Sequence, residues 1–317
     1  MRTPRPWTLP TQPVTRALLL ASGVTDAMIR TQLRAGRLIH VRPGVVLCAS
    51  DWPDGPRGQH LMKAHAEQVM NPGAIISHGS AAAVWDLPSP DFHDWHDDPV
   101  SLTLPESANG SRRRAVSWHV APLPAAHVTR DAEGYAVTTI ARTAVDLAER
   151  RRLPEALVIL DGGARLLVAS FVGRDPRRHD YVNPRFVKAA RDELLLVAAR
   201  SAALRTTIGV VEPCRESAAE STFTGHVVLA GLPMPQFQAP LKTPMGTFYP
   251  DFYWPQARLI GECDGAVKYG SPDAILLEKQ REEWLRDEAY RFVRWPAKHS
   301  WTRPQEILAR IERYLGV

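Results

Sequence analysis

Apolar positions recur at helical spacing from Pro13 to Ser22, with Gly23 as the stop, and again from Thr25 to Ala35. Thr25 is a strong N-cap type, and Gly36 suits the position just past a helix end. The period then shortens. Leu38–Val41 and Val45–Cys48 are β-rich runs on either side of Arg42-Pro43-Gly44, the pattern of a hairpin. Helix, tight turn, helix and hairpin within fifty residues outline a winged helix-turn-helix. On its second helix Ile29 and Leu33 share the inward face, one turn apart. Arg30, Thr31 and Arg34 share the other face, and Arg37 and Arg42 extend it into the hairpin. Arginines on such a helix reach phosphates and guanine edges in a major groove, so these five are the expected DNA-binding residues.

Asp51 to Gly58 is rich in proline and glycine and reads as a linker. Beyond it the pattern predicts a helix over His60–Met70, then a capped helix in ISHGSAAAVWDLP with Ser77 or Ser80 as cap. Strands follow at Val100–Leu104 and Ala115–Val120, then helices in TTIARTAVDLAERR and at Pro154–Leu167. HGSAA lacks the G-x-S-x-G spacing of a nucleophile elbow, so Ser80 reads as a cap and His78 as structural. Arg112-Arg113-Arg114 is a short basic loop tip. Gly173–Asn183 is polar and reads as a loop, and Phe186–Ala203 as one helix.

The last hundred residues predict a helix over Ser217–Ala230, a strand near Pro235–Ala239, and a hairpin of Thr247–Trp254 with Arg258–Asp264. A charged helix over Ile275–Glu288, a strand over Tyr290–Trp295 and a helix over Pro304–Leu315 complete it. The fold class is α/β multidomain. Residues 1–57 form the winged helix-turn-helix, 58–167 an α+β middle domain, 168–215 a loop and connecting helix, and 216–317 a compact α/β nuclease-like domain.

Composition adds little to this division. Lysine plus arginine number 39 against 34 acids, a net charge of +5, which suits a nucleic-acid partner without requiring one. The three cysteines are scattered and show no zinc spacing, which fits reduced thiols in the cytoplasm. No apolar run reaches the length of a membrane span or a signal sequence, so no membrane association is expected.

The chemistry is concentrated in YPDFYWPQARLIGECDG, residues 249–265. Asp251 opens one strand-like run, and Glu262 and Asp264 stand on alternate positions of the next. Three acids on neighbouring strands repel one another unless a cation sits among them. Mg²⁺, which takes one or two carboxylates with water and phosphate, is the cofactor this pattern points to. Asp251, Glu262 and Asp264 are thus the metal-binding and catalytic acids, with Glu220 completing the shell from the preceding helix. Lys268, or Lys279 and Arg281, would stabilise developing negative charge. The alternative at these positions is a solvated acidic hairpin.

PDFYWPQARLIGECDGAVKYG, EKQREEWLRDEAYRFVRW and the preceding ESAAES resemble the DUF559 and very-short-patch-repair group of PD-(D/E)XK nucleases over residues 216–317. The resemblance implies a restriction-endonuclease-like fold, Asp251, Glu262 and Asp264 as metal-site acids, and Glu220 as the helix acid. Arg281 and Arg294 match its basic helix and strand positions. Two departures stand out. The lysine of the family's Glu-x-Lys is Asp264 here, and a histidine common after the Asp-Gly pair is replaced by Lys268-Tyr269. VTDAMIRTQLRAGRLIHVRPGVV, ISHGSAAAVWDLP and TTIARTAVDLAER resemble type IV antitoxins of the AbiEi kind over residues 13–165. That likeness implies an operator-binding repressor with a partner toxin. Beside the reading as an interaction protein without nucleic-acid partners, whose acids are a solvated hairpin, stand two others: an Mg²⁺-dependent endonuclease acting on double-stranded DNA in defence or repair, or an antitoxin-like regulator whose nuclease-like domain has lost catalysis. A homodimer suits either, since winged helices commonly read palindromes.

Overall fold

The computed structural model describes residues 7–105, 116–199, 201–265 and 272–316. The fold is mixed α/β with several sheets, and the chain divides into two compact units. One comprises Met1–Leu87 with His93–Thr143, the other Pro88–Phe92 with Ala144–Val317.

The first unit begins with β1 (Val14–Thr15), α1 (Arg16–Ala21), α2 (Asp26–Arg34), β2 (Leu38–Arg42) and β3 (Val45–Cys48). Thr25 caps α2, its hydroxyl accepting from the Met28 amide. Val14 and Thr15 pair antiparallel with Val46 and Val45, so the first helix is shorter than the Pro13–Ser22 pattern predicts. Leu19, Val24, Ile29, Leu38 and Val46 form the core beneath α1 and α2, with Leu33 packed at its margin. Gly23 in the turn holds φ +91°, a conformation that glycine adopts without a Cβ clash.

The unit continues with α3 (Pro56–Met70), β4 (Ile75–Ile76), α4 (His78–Trp85), β5 (Val100–Leu104), β6 (Val116–Val120), β7 (Val128–Arg130) and β8 (Ala136–Thr138). The predicted linker thus ends at Pro56, which serves as the first residue of α3. These strands make a five-stranded sheet of order β6-β5-β4-β8-β7. Ala64, Ile76, Ala81, Leu102, Leu104 and Val137 fill its core. The chain crosses to the second unit along α5 (Ile140–Ala148).

The second unit contains α6 (Leu153–Val172), α7 (Arg178–Tyr181), α8 (Pro184–Val197), α9 (Ala202–Ile208) and α10 (Ala218–Leu229). The pattern over Phe186–Ala203 predicts one helix. Instead α8 stops at Val197 and Ser201 caps the separate α9. The predicted loop at Gly173–Asn183 holds the single turn of α7, where the Asp180 carboxylate accepts from the Arg177 amide at 2.7 Å. Helix α6 extends past Leu167 and packs along α10. Gly225 of α10 lies so close to it that a Cβ there would sit 2.4 Å from the Pro154 Cα. At the middle of α6, Asp161 forms a bidentate ion pair of 2.7 and 2.9 Å with Arg215, both essentially sealed from solvent.

The strands that follow are β9 (Leu241–Thr243), β10 (Gly246–Phe248), β11 (Phe252–Trp254) and β12 (Leu259–Asp264); then come α11 (Pro272–Asp287), β13 (Arg291–Pro296), α12 (His299–Thr302) and α13 (Pro304–Leu315). β9 and β10 form a small hairpin, and the predicted strand near Pro235 is reduced to a bridge between Gln236 and Tyr253. The central sheet is β11-β12-β13, with β11 antiparallel and β13 parallel to β12. Leu259, Phe252, Trp254, Val293 and Trp295 pack with Phe223 of α10 and Ile307 and Ile311 of α13. Ile260 packs on the opposite face with Leu285 of α11. Both faces of β12 are therefore covered, which is why its start reads as a continuous apolar run.

Candidate functional site

Covering both faces of β12 fixes where its acids go. Side chains alternate along a strand, so Glu262 and Asp264 share the face of Ile260, toward α11, while Cys263 turns to the other. Asp251, just before β11, is tied across the sheet, its Oδ2 accepting from the Cys263 amide at 2.9 Å. Glu220 sits in the first turn of α10, where Ser217 is the N-cap. Its carboxylate accepts from the Glu216 amide at 2.9 Å and the Ser217 hydroxyl at 2.7 Å, so it also closes the helix start.

Electrostatics couples these acids. Burial first, and then Asp251, push Glu262 up to about 8. Burial, then the Asp251 charge, push Glu220 up to about 7. Burial is likewise the main cause that raises Asp251, to about 6, with the Cys263 amide acting against it. The Glu262 Oε1 atom is closed off from solvent and, among the described residues, has no hydrogen-bond partner. Asp264 is exposed, and its carboxyl is raised more by burial than Arg294 lowers it.

Just as Arg178 acts on Asp251, Arg294 is the positive charge that acts on Glu262. Parallel pairing of β12 with β13 sets it directly beside Glu262 in register. Its guanidinium bonds Glu278 at 3.1 Å and Glu282 at 2.9 Å, both on α11, while Nε is buried without a partner among the described residues. One arginine thus faces four carboxylates, two on β12 and two on α11.

The residues fit a hard divalent cation in part. Asp251 and Glu262 offer oxygen donors, and the stranded Glu262 oxygen is one that a cation would satisfy. Asp264 does not complete a three-acid cage: among the described residues it does not close with Asp251 and Glu262 to within 4.8 Å. Two residues along a strand span about 6.6 Å, which sets Asp264 one step beyond Glu262. Lys268 lies outside the described residues. Lys279 is exposed, and Arg281 stacks over the Phe248 ring at 4.4 Å.

Helix α2 presents Arg30, Thr31 and Arg34 to solvent, and Arg37 is exposed just beyond it. Arg30 makes only a loose pair with Asp26 at 3.5 Å, and the Thr31 hydroxyl bonds its own helix at Ala27. Arg42 departs from the expected surface. Its side chain is 9% exposed and ion-paired with Glu67 of α3, so it fastens the hairpin to that helix. Glu67 is 25 residues away in sequence, and no local spacing signals the pair. Arg112-Arg113-Arg114 falls outside the described residues.

No family profile matches the chain. Over 183 residues it is 30% identical to Uncharacterized protein Rv2248 of Mycobacterium tuberculosis strain ATCC 25618 / H37Rv. It is equally similar to Uncharacterized protein MT2308 of strain CDC 1551 / Oshkosh. The matched region is 57% of this chain and 62% of each relative, so the chain spans under two thirds of their length. Neither name carries an activity. Among the described residues no helix is long and apolar enough to cross a membrane.

Proposed function

We propose that this protein is a DNA-binding endonuclease that uses a divalent cation, Mg²⁺ foremost, to hydrolyse phosphodiester bonds. In this reading the first fifty residues are a winged helix-turn-helix. The part from Glu216 onward is a restriction-endonuclease-like domain of the DUF559 and very-short-patch-repair kind. The observation that carries the proposal is the strained carboxylate group: Glu262, Asp251 and Glu220 are all raised well above ordinary acids, and Glu262 keeps a stranded oxygen. Such a group destabilises a protein with nothing bound, and a cation relieves it.

Asp251 and Glu262 would hold the metal. Bound there, it would supply Lewis acidity and a water of lowered pKa. The chain's own contributions are separate. The Cys263 amide fixes the Asp251 carboxylate, and Glu220 holds the start of α10 beside it. Arg294 sets a fixed positive charge at the Glu262 position, in place of the lysine replaced by Asp264. Arg30, Arg34 and Arg37, with Thr31, would grip the double helix, mainly through phosphates.

A second reading is favoured by one observation. The Arg294 charge is engaged by Glu278 and Glu282, and Asp264 adds negative charge where the family's lysine stands. That arrangement suits an antitoxin-like transcriptional regulator with a partner toxin and a non-catalytic second unit. Cleavage of supercoiled plasmid, single-stranded DNA and RNA with Mg²⁺, Mn²⁺ or EDTA, beside Glu262→Ala, separates the two. Metal-dependent cleavage lost in the variant is expected. Absence of cleavage on every substrate, with specific operator binding intact in Glu262→Ala, would favour the regulator.

A further inference from the structure

The first unit holds a group of side chains that neither the carboxylates nor α2 uses. His78 opens α4 with φ +47°, a left-handed backbone that non-glycine residues adopt at a cost. His119, near the end of β6, stacks on it with ring centroids 3.5 Å apart and planes 10° from parallel. Arg142 of α5 is close enough for its charge to disfavour protonation of His78. Its Nη1 donates to the Pro122 carbonyl at 3.2 Å and toward His127 Nδ1 at 3.4 Å.

Proton accounting fixes what His78 can offer. Thr103 Oγ1 donates to Ser77 Oγ at 2.8 Å, and both residues are buried. The Ser77 hydroxyl has one proton of its own, and His78 Nδ1 lies 3.0 Å away as its acceptor. A buried hydroxyl is satisfied, so Ser77 donates and Nδ1 accepts. In a neutral imidazole the proton then resides on Nε2, which becomes a fixed N–H donor. His78 is kept neutral, because burial first, then His119 and Arg142, hold it down at about 3. A metal ion would need the Nε2 lone pair that this tautomer lacks, and would meet the Arg142 charge. A donor N–H within the field of the Arg142 charge matches an oxyanion instead, and the start of α4 acts in the same sense.

We propose that His78, His119 and Arg142 form a binding site for a phosphoryl group, either the backbone phosphate of a nucleic acid or a free phosphate. This site does not depend on the nuclease reading. The test is histidine-detected NMR of the full chain, titrated with inorganic phosphate, with a DNA duplex, and with sodium chloride at matched ionic strength. Saturable shifts of the His78 and His119 signals with phosphate or duplex, but not with chloride, are expected. His119→Gln should weaken the response roughly tenfold, and Arg142→Gln at least as much. Should Arg142→Gln fail to fold, the half-exposed His119→Gln carries the comparison. Duplex that displaces bound phosphate identifies the nucleic-acid backbone as the source; phosphate binding indifferent to duplex identifies a free phosphate. No saturable shift with either probe, the same shift with chloride, or an unchanged response in His119→Gln would overturn the site. Glu262→Gln is expected to leave the shifts intact.

Discussion

Replacing Glu262 with glutamine is expected to stabilise the metal-free protein at alkaline pH while removing its response to Mg²⁺. In the unfolded chain this carboxyl ionises near its ordinary value of 4.5, whereas in the fold it holds its proton up to about 8. The unfolded state therefore sheds the proton first. Stability owed to this group is greatest below pH 4.5 and falls as pH rises toward 8, levelling above it. At about 1.4 kcal/mol per pH unit, the interval sets a ceiling of about 5 kcal/mol. Asp251 and Glu220 are displaced with the same sign, and a proton on any one of the three eases the others. A single substitution should thus recover about 2–3 kcal/mol. The assay is urea unfolding in EDTA at about pH 5.5 and about pH 8. The wild-type midpoint should fall between the two, and the Glu262→Gln midpoint should fall less and lie higher at pH 8. Mg²⁺ at about a hundred times its Kd should return about 2.7 kcal/mol to the wild type and nothing to the variant. A wild-type midpoint that stays level or rises between those pH values, together with a neutral substitution, would refute the reasoning.

Other substitutions test the frame around this group. Gly225→Ala places a Cβ 2.4 Å from the Pro154 backbone. The ~1 kcal/mol gain in helix propensity is then outweighed by overpacking, for a net loss of about 1–2 kcal/mol in urea unfolding. Asp161→Asn leaves the sealed Arg215 without its counter-charge and should cost about 3–5 kcal/mol by the same measurement. Arg34→Ala and Arg37→Ala should each lower the salt slope of duplex binding, log K against log [salt], by about 0.9. Arg42→Ala should lower the unfolding midpoint and leave that slope unchanged, because Arg42 is occupied with Glu67.

What could be read in the sequence followed from local chemistry. Thr25 and Ser217 mark helix starts because a capping hydroxyl acts within three residues of itself. Val100–Leu104 and Pro304–Leu315 were visible because their pattern repeats over a whole element. The sequence could place Glu262 and Asp264 on one face, but not the arginine beside them, because the parallel partner strand arrives only after α11. Arg42 looked like surface charge because its partner is 25 residues away, and Arg215 finds Asp161 across 54 residues. The stacked His78 and His119 were silent for the same reason. Charge satisfied by tertiary contact leaves no trace in spacing.

The close crossing of α6 and α10 decides how this protein can be cut for separate study. A fragment started at Glu216 would carry the carboxylates but leave behind the helix against which Gly225 is fitted. The flank of α10 shaped to meet Pro154 would then face water, and the Arg215–Asp161 pair just ahead of α10 would stay with the other piece. A fragment started ahead of Leu153 keeps the helix pair and the ion pair together. The smallest portion expected to express as a folded, chemically intact body is therefore about one and a half times as long as residues 216–317.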